Sequence, residues 1–106
     1  MHNPRYILFF ESAIDLLSFM TIMRSREKPL ASCLLVSMAG LKFGVVQMYL
    51  RVFGDSAAIP VLCVDNDEAG CVFIAHCLTI YPAALIRQPD KDFKDWNDQL
   101  RGNCSL

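Results

Sequence analysis

The sequence predicts an α/β fold: a four-stranded parallel sheet of the Rossmann-like kind with helices on both faces. Three observations predict it. Four short apolar runs alternate with stretches of helical pattern, in the order β-α-β-α-β-α-β. The runs are apolar nearly throughout, as expected of strands covered on both faces. Acidic residues fall just after the runs, at the strand ends where an open parallel sheet binds its ligands.

The first strand is Tyr6 to Phe10, and it ends at Glu11. Ser12-Ala13-Ile14-Asp15 reads as a capping box opening a helix. That helix is expected to turn Ala13, Leu16, Leu17 and Met20 to the core, to fade into the polar stretch Arg24 to Lys28, and to stop at Pro29. Cys33 to Val36 is the second strand. Ser37 to Gly40 turns the chain, with Gly40 suited to a positive φ or a close backbone approach.

The second helix runs from Leu41 to Phe53, with Val45, Tyr49 and Val52 on one face and Val46, Leu50 and Phe53 beside it. Gly54-Asp55-Ser56 is a turn, and Ile59 to Val64 is the third strand. Asp67 caps a third helix from Glu68 to Ile80, closed by Pro82. Ala83 to Ile86 is the fourth strand. A polar remainder carries a short helix around Trp96 to Leu100. Right-handed crossovers reduce the topologies to a few.

A length of 106 residues suits a single domain spanning 1–106, expected to be a fragment of a longer protein. A hydrophobic share of 54% supplies a core and excludes disorder. The net charge of −1 leaves no excess for the basic face of a free-standing nucleic-acid-binding domain. Attraction to phosphate is therefore expected from a metal or from partner domains.

The five cysteines, Cys33, Cys63, Cys71, Cys77 and Cys104, are odd in number and contain no C-x-x-C pair, which speaks against zinc and a disulfide framework. Most sit in apolar runs and read as small buried hydrophobes, consistent with a reducing cytoplasm. No apolar run approaches the ~20 residues of a membrane span, and the start is too short for a signal peptide. The expected location is cytoplasmic.

The candidate chemistry lies at the strand ends. Glu11 closes the first strand, and Asp65 and Asp67 close the third. Asp65 and Asp67 are two apart, so in extended chain they project to one side. If the first and third strands are neighbours, the three carboxylates share a crevice. A divalent cation relieves their repulsion: Mg²⁺ takes one or two carboxylates, keeps several waters and adds substrate phosphate, with Mn²⁺ the alternative ion. Taken singly, Asp67 reads equally well as a helix cap, Asp65 as a turn residue and Glu11 as a solvated acid.

Secondary candidates are Asp15, which joins the cluster or completes the capping box (the preferred reading), Lys94, which can meet a phosphate, and Asp95, which can add a metal ligand. A solvated polar tail is the competing reading for Lys94 and Asp95. Trp96 is expected to pin the tail to the body rather than stack a base, and His76 to be a packed histidine. Arg24, Arg26 and Lys28 read as a solvated helix end, and His2 as a terminal residue.

Together these residues resemble the Toprim domain. Glu11 after an apolar strand, followed by Ala13-Ile14-Asp15, resembles the first Toprim motif. Asp65-Asn66-Asp67-Glu68-Ala69-Gly70 is similar to the second, D-x-D-x-x-G. Ser37-Met38-Ala39-Gly40 resembles the glycine turn after the second strand. Lys94-Asp95-Trp96-Asn97-Asp98 with Leu100 is similar to the tail of Toprim-like domains in mobile-element proteins, of the primase-like and relaxase-associated kinds.

The resemblance covers about Tyr6 to Leu100. It implies a Mg²⁺-dependent module of a DNA-processing enzyme, as in primases, topoisomerases and nucleases of the overcoming-lysogenization-defect type. The reaction would be primase-like nucleotidyl transfer or phosphodiester cleavage and rejoining. Carried over, Glu11 serves acid/base chemistry or metal binding, and Asp65 and Asp67 hold Mg²⁺. Implied partners are DNA or RNA and nucleotides, reached through other domains of a parent protein, with no membrane.

One departure is Ser12, where many members have glycine; its side chain narrows the approach to Glu11. The alternative reading is a degenerate, non-catalytic Toprim-like module that binds nucleic acid or protein. A receiver-type signalling domain with Asp65 as phospho-acceptor comes third, since Glu11-Ser12 supplies only one acid after the first strand.

Overall fold

The computed structural model describes residues 3–54 and 57–103. His2, Cys104 and two residues of the expected turn, Asp55 and Ser56, lie outside them. The described chain runs β1 (Tyr6–Phe10), α1 (Ala13–Ser25), β2 (Cys33–Ser37), α2 (Phe43–Val52), β3 (Ile59–Leu62), α3 (Glu68–Ile80), β4 (Leu85–Ile86) and α4 (Trp96–Asn103). The four strands form one sheet in the order β2-β1-β3-β4. All three pairings are parallel, with Tyr6 level with Cys33 on one side and with Ile59 on the other.

Strand alternation divides the core in two. Ile7 and Phe9 of β1, with Leu62 and Val64, meet Val46 of α2 and Phe73, Ile74 and Cys77 of α3. Leu8 and Phe10, with Val61 and Cys63, meet Phe19, Ile22 and Met23 of α1 and Trp96 of α4. The expected sheet with helices on both faces is what the chain adopts. β1 feeds α1 and β2 on one side, whereas β3 feeds α3 and β4 on the other. The order therefore reverses between β1 and β3, and a crevice opens beyond their carboxyl ends.

Several local expectations need correction. The core stripe of α1 is not Ala13, Leu16, Leu17 and Met20: Leu17 is 59% exposed, and the buried residues are Asp15, Ser18, Phe19, Ile22 and Met23. Those five follow the i, i+3, i+4, i+7, i+8 rule. Two of them are polar because the first turns of α1 lie under the start of α4. There Asn97 donates its amide to Asp15 Oδ1 (3.1 Å), and Ser18 Oγ donates to Asn97 Oδ1 (3.4 Å).

Nor does Pro29 end α1. Glu27 takes a left-handed conformation (φ 54°), its amide donates to Arg24 O, and the Lys28 amide donates to Met23 O. This is a Schellman turn with glutamate where glycine is usual.

In α2, which starts two residues later than expected, Val46 is the buried residue and Val52 is 69% exposed. β3 ends at Leu62, although Cys63 and Val64 stay fully buried. β4 is only Leu85–Ile86, because a turn from Tyr81 O to the Ala84 amide occupies the residues before it. His76 is not packed in the core. It is exposed on α3, with its ring edge-to-face on Phe43 at 4.6 Å.

Of the described thiols, Cys63 and Cys77 are buried as expected, and burial pushes the Cys63 thiol well up and the Cys77 thiol to about 11. Cys33 is half-buried with its thiol also raised by burial, while Cys71 is exposed.

Candidate metal centre

Glu11 is placed by the end of β1 and by the turn after β2. The Met38 amide donates to Phe10 O, and the Gly40 amide donates to Glu11 O at 2.7 Å. Reaching back in this way needs left-handed backbone at Ala39 (φ 55°) and φ 119° at Gly40, a region glycine occupies without strain. The glycine turn of the sequence thus fixes the backbone of the motif glutamate.

Asp65 and Asp67 are placed by the turn from β3 into α3. Asp67 is the N-cap of α3, with Oδ1 accepting from the Gly70 amide at 2.7 Å. Gly70 is required there: a Cβ on it would lie 2.3 Å from Asp65 O and 3.2 Å from Asp67 Oδ1. The last residue of D-x-D-x-x-G is glycine because the first turn of α3 rests on the backbone of Asp65.

The residue between the aspartates carries a signal that sequence reasoning missed. Asn66 Nδ2 donates to Pro89 O (2.7 Å), Phe93 O (2.8 Å) and Asp90 O (3.2 Å), and its amide donates to Lys94 O. Gln88 Nε2 donates to Asp65 O, and Gln99 Oε1 accepts from the Asp90 amide. These contacts fold residues 88–94 back over the site and deliver Asp95 to it. An amide set between two candidate ligands was the available clue, since Asn is suited to bonding irregular backbone.

Two groups of carboxylate oxygens converge. Oxygens of Glu11, Asp65 and Asp67 lie within 4.8 Å of one another, and so do oxygens of Asp15, Asp65 and Asp95. Asp65 belongs to both. The Asp65 amide makes a long contact of 3.4 Å to Glu11 Oε1, while Asp65 Oδ1 is buried without a hydrogen-bond partner.

Burial, the charge and hydrogen bond of Glu11, and the charges of Asp15 and Asp95 push the Asp65 carboxyl up to about 8. A buried carboxylate oxygen with no donor, ringed by other carboxylates, is a strained arrangement for protein alone. A hard divalent cation would supply the missing positive partner, and an all-oxygen donor set suits Mg²⁺. The residues present fit the ion.

The roles expected of the neighbours combine. Asp15 accepts from Ser12 Oγ at 2.9 Å, while its amide donates to that hydroxyl at 3.2 Å, so it both completes the cap and joins the acidic group. Ser12 Oγ is engaged with Asp15. Asp95 Oδ1 accepts from the Asp98 amide at the start of α4 and also belongs to the second group. Lys94 is exposed, its amide donating to Asp98 Oδ2. Trp96 pins the tail as expected: it is 3% exposed, donates Nε1 to Cys63 O, and packs on Phe19 at 4.9 Å. Stacking on a base is closed to it.

The sequence matches the Toprim-like family over residues 8–100. The chain belongs to that family. Membership leaves no place for the receiver-type reading. This Toprim-like domain is 34% identical to an uncharacterized protein of Bacillus anthracis, over 93% of the chain and 33% of that protein. Its fold is similar to that of the primase fragment of the bacteriophage T7 primase-helicase protein. The TM-score is 0.59 at 20% identity, covering 96% of the chain and 41% of the fragment. At that identity the likeness is one of fold. The chain therefore spans about a third and about two fifths of the lengths of the proteins it matches. Among the described residues no helix is long and apolar enough to cross a membrane.

Proposed function

We propose that this Toprim-like domain is the Mg²⁺-holding module of a nucleic-acid-processing enzyme. It would act in primase-like nucleotidyl transfer or in phosphodiester cleavage and rejoining, together with partner domains. The observation that carries this reading is Asp65, whose carboxylate is common to the two groups and whose Oδ1 is buried with no hydrogen-bond partner.

Asp65 and Asp67 are the metal ligands in this reading. Glu11 serves as a further ligand or as the acid/base group, and Asp15 and Asp95 are secondary ligands through their proximity to Asp65. Lys94, exposed beside Asp95, meets substrate phosphate. A cation held there by Asp65 and Asp67 would polarise a phosphoryl oxygen and steady the attacking and leaving oxygens, with Mn²⁺ the alternative ion.

The protein's own contribution is rigidity. Asp67 and Asp95 are fixed as helix caps, Glu11 by the Gly40 turn, and Asp65 by Gly70 and Gln88. The near-neutral charge leaves attraction to DNA or RNA and nucleotides largely to the cation and to partner domains.

The test is a Mg²⁺ titration followed by NMR on the chain and on an Asp65→Ala/Asp67→Ala variant. Shifts centred on Glu11, Asp65 and Asp67 in the wild type and absent in the variant are expected. No shift at millimolar Mg²⁺ would overturn the metal-holding reading and favour the non-catalytic interaction module.

A further inference from the structure

At the opposite end of the sheet from the carboxylates lies a hollow of about 520 Å³, within the range of binding pockets. Tyr6, Cys33 and Leu85, the first residues of β1, β2 and β4, border it, whereas Glu11 and Asp65 lie beyond the last residues of β1 and β3. Leu8 and Val61 on the sheet and Phe19 and Met23 on α1 make it apolar. Lys28 and Arg87 supply its charges, and none of the described residues that line it is an acid.

The charges lack a counter-ion. The Arg87 guanidinium lies over the Phe19 ring at 5.6 Å, with Nη2 donating to Met23 Sδ at 3.5 Å. Among the described residues no carboxylate pairs with it or with Lys28. Cations beside an apolar cavity are complementary to an anion carried on an apolar body.

The hollow also reaches the edge of the sheet. Leu85 is level with Val61 and shares its face, as does Arg87 two residues on, whereas Ile86, level with Leu62, belongs to the other face. Ile86 nonetheless borders the hollow, which places its backbone there. The Arg87 amide donates to Leu62 O, so the alternation of the ladder turns the amide and carbonyl of Ile86 away from β3. β4 is last in the sheet, so these groups point off its edge, and Leu85 and Ile86 are 47% and 49% exposed.

An open edge beside an apolar cavity suits a segment that adds as a strand, with its backbone on the edge and alternate side chains in the cavity. A free amphiphilic carboxylate would fill the cavity and leave the edge unpaired. We propose that an extended segment of a protein partner docks along β4, carrying an apolar and an acidic residue two positions apart. The apolar side chain enters the hollow and the carboxylate meets Arg87, with Lys28 adding a second positive charge. The spacing of two matches Leu85 and Arg87, which share a face two residues apart. The site is separate from the metal centre and independent of its reading.

The experiment titrates acetyl-Thr-Leu-Thr-Glu-Thr-amide into the 106-residue chain and follows the backbone amides by NMR. Shifts at Val61, Ile86 and Arg87 are expected, with slower solvent exchange of the Ile86 amide and no shift at Glu11 or Asp67. Replacing the peptide's leucine by alanine should weaken binding about tenfold, the lower end of what burying a leucine contributes. Replacing its glutamate by glutamine should weaken binding about threefold, and should make no difference on Arg87→Gln. Ile86→Pro, at an outward amide where an edge strand tolerates proline, should weaken all three peptides alike.

No shift at Ile86 and Arg87 with millimolar peptide, or equal affinity for the three peptides, overturns the inference. Decanoate shifting Val61 and Arg87 where the peptide does not would assign the hollow to a free amphiphile and overturn it as well.

Discussion

Asp65 is the residue on which the site turns. Its carboxyl is pushed up to about 8 by burial and by the charges of Glu11, Asp15 and Asp95, from an ordinary value of 3.8. Below the ordinary value, folded and unfolded chains both carry the proton and the group adds no pH dependence. Between about 4 and 8 the unfolded chain has released the proton and the folded chain keeps it, so stability falls as pH rises through this window. In metal-free buffer the wild type should therefore lose denaturant midpoint from pH 4 to pH 8 relative to Asp65→Asn, which cannot ionise. Parallel curves for the two proteins would contradict this. Gly70 is the other decisive residue. Gly70→Ala forces a Cβ to within 2.3 Å of Asp65 O, a backbone atom that cannot yield cheaply. A loss of about 1–3 kcal/mol is expected by urea melt, together with weaker Mg²⁺ binding, because the atoms that must move belong to Asp65 and Asp67.

At the scale of elements, what brings Asp95 to the centre is a loop held by one side chain. Asn66→Ala strips a donor from three carbonyls of residues 89–93. It should cost about 1–3 kcal/mol and should broaden or shift the Asp95 and Trp96 signals while leaving those of β1 and α1 in place. Unchanged Asp95 signals would mean that α4 packing through Trp96 alone holds the loop. This loop also marks how far the sequence could be read. The strands, the Asp67 cap and the Gly40 turn were legible because each follows from local rules: apolar runs, an acid before a helix, a glycine at positive φ. The convergence of Glu11, Asp65 and Asp67 was legible because all three follow the ends of strands that pair. The stripe of α1 was misread because Asp15 and Ser18 face inward against Asn97, a partner 79 residues beyond Ser18 that no periodicity reveals. The end of α1 was misread because Glu27 occupies a position where glycine gives the signal. The Asn66 contacts are likewise non-local.

For the whole molecule, the same crowding of carboxylates would couple folding to the proposed cation. The sheet order forces β1 and β3 side by side, so folding brings Glu11 against Asp65, and α1 and α4 add Asp15 and Asp95. The unfolded chain has no such convergence and little affinity for Mg²⁺. A ligand that binds only the folded chain raises stability by RT ln(1 + [L]/Kd), about 1.4 kcal/mol when Mg²⁺ is at tenfold its Kd. For a domain of this size each kcal/mol moves the thermal midpoint by roughly 4–8 °C. A cation held by Asp65 would take the ionised carboxylate, so its binding would expel the Asp65 proton below about pH 8 and be free of that cost above it. The Mg²⁺-induced rise in thermal midpoint should therefore be larger at pH 8.5 than at pH 6.5 and should release a proton at the lower pH, measurable by calorimetry in buffers of different ionisation enthalpy. Asp65→Asn should show neither the rise nor the proton release. A rise that is equal at both pH values would place the cation away from Asp65, on carboxylates that are already ionised.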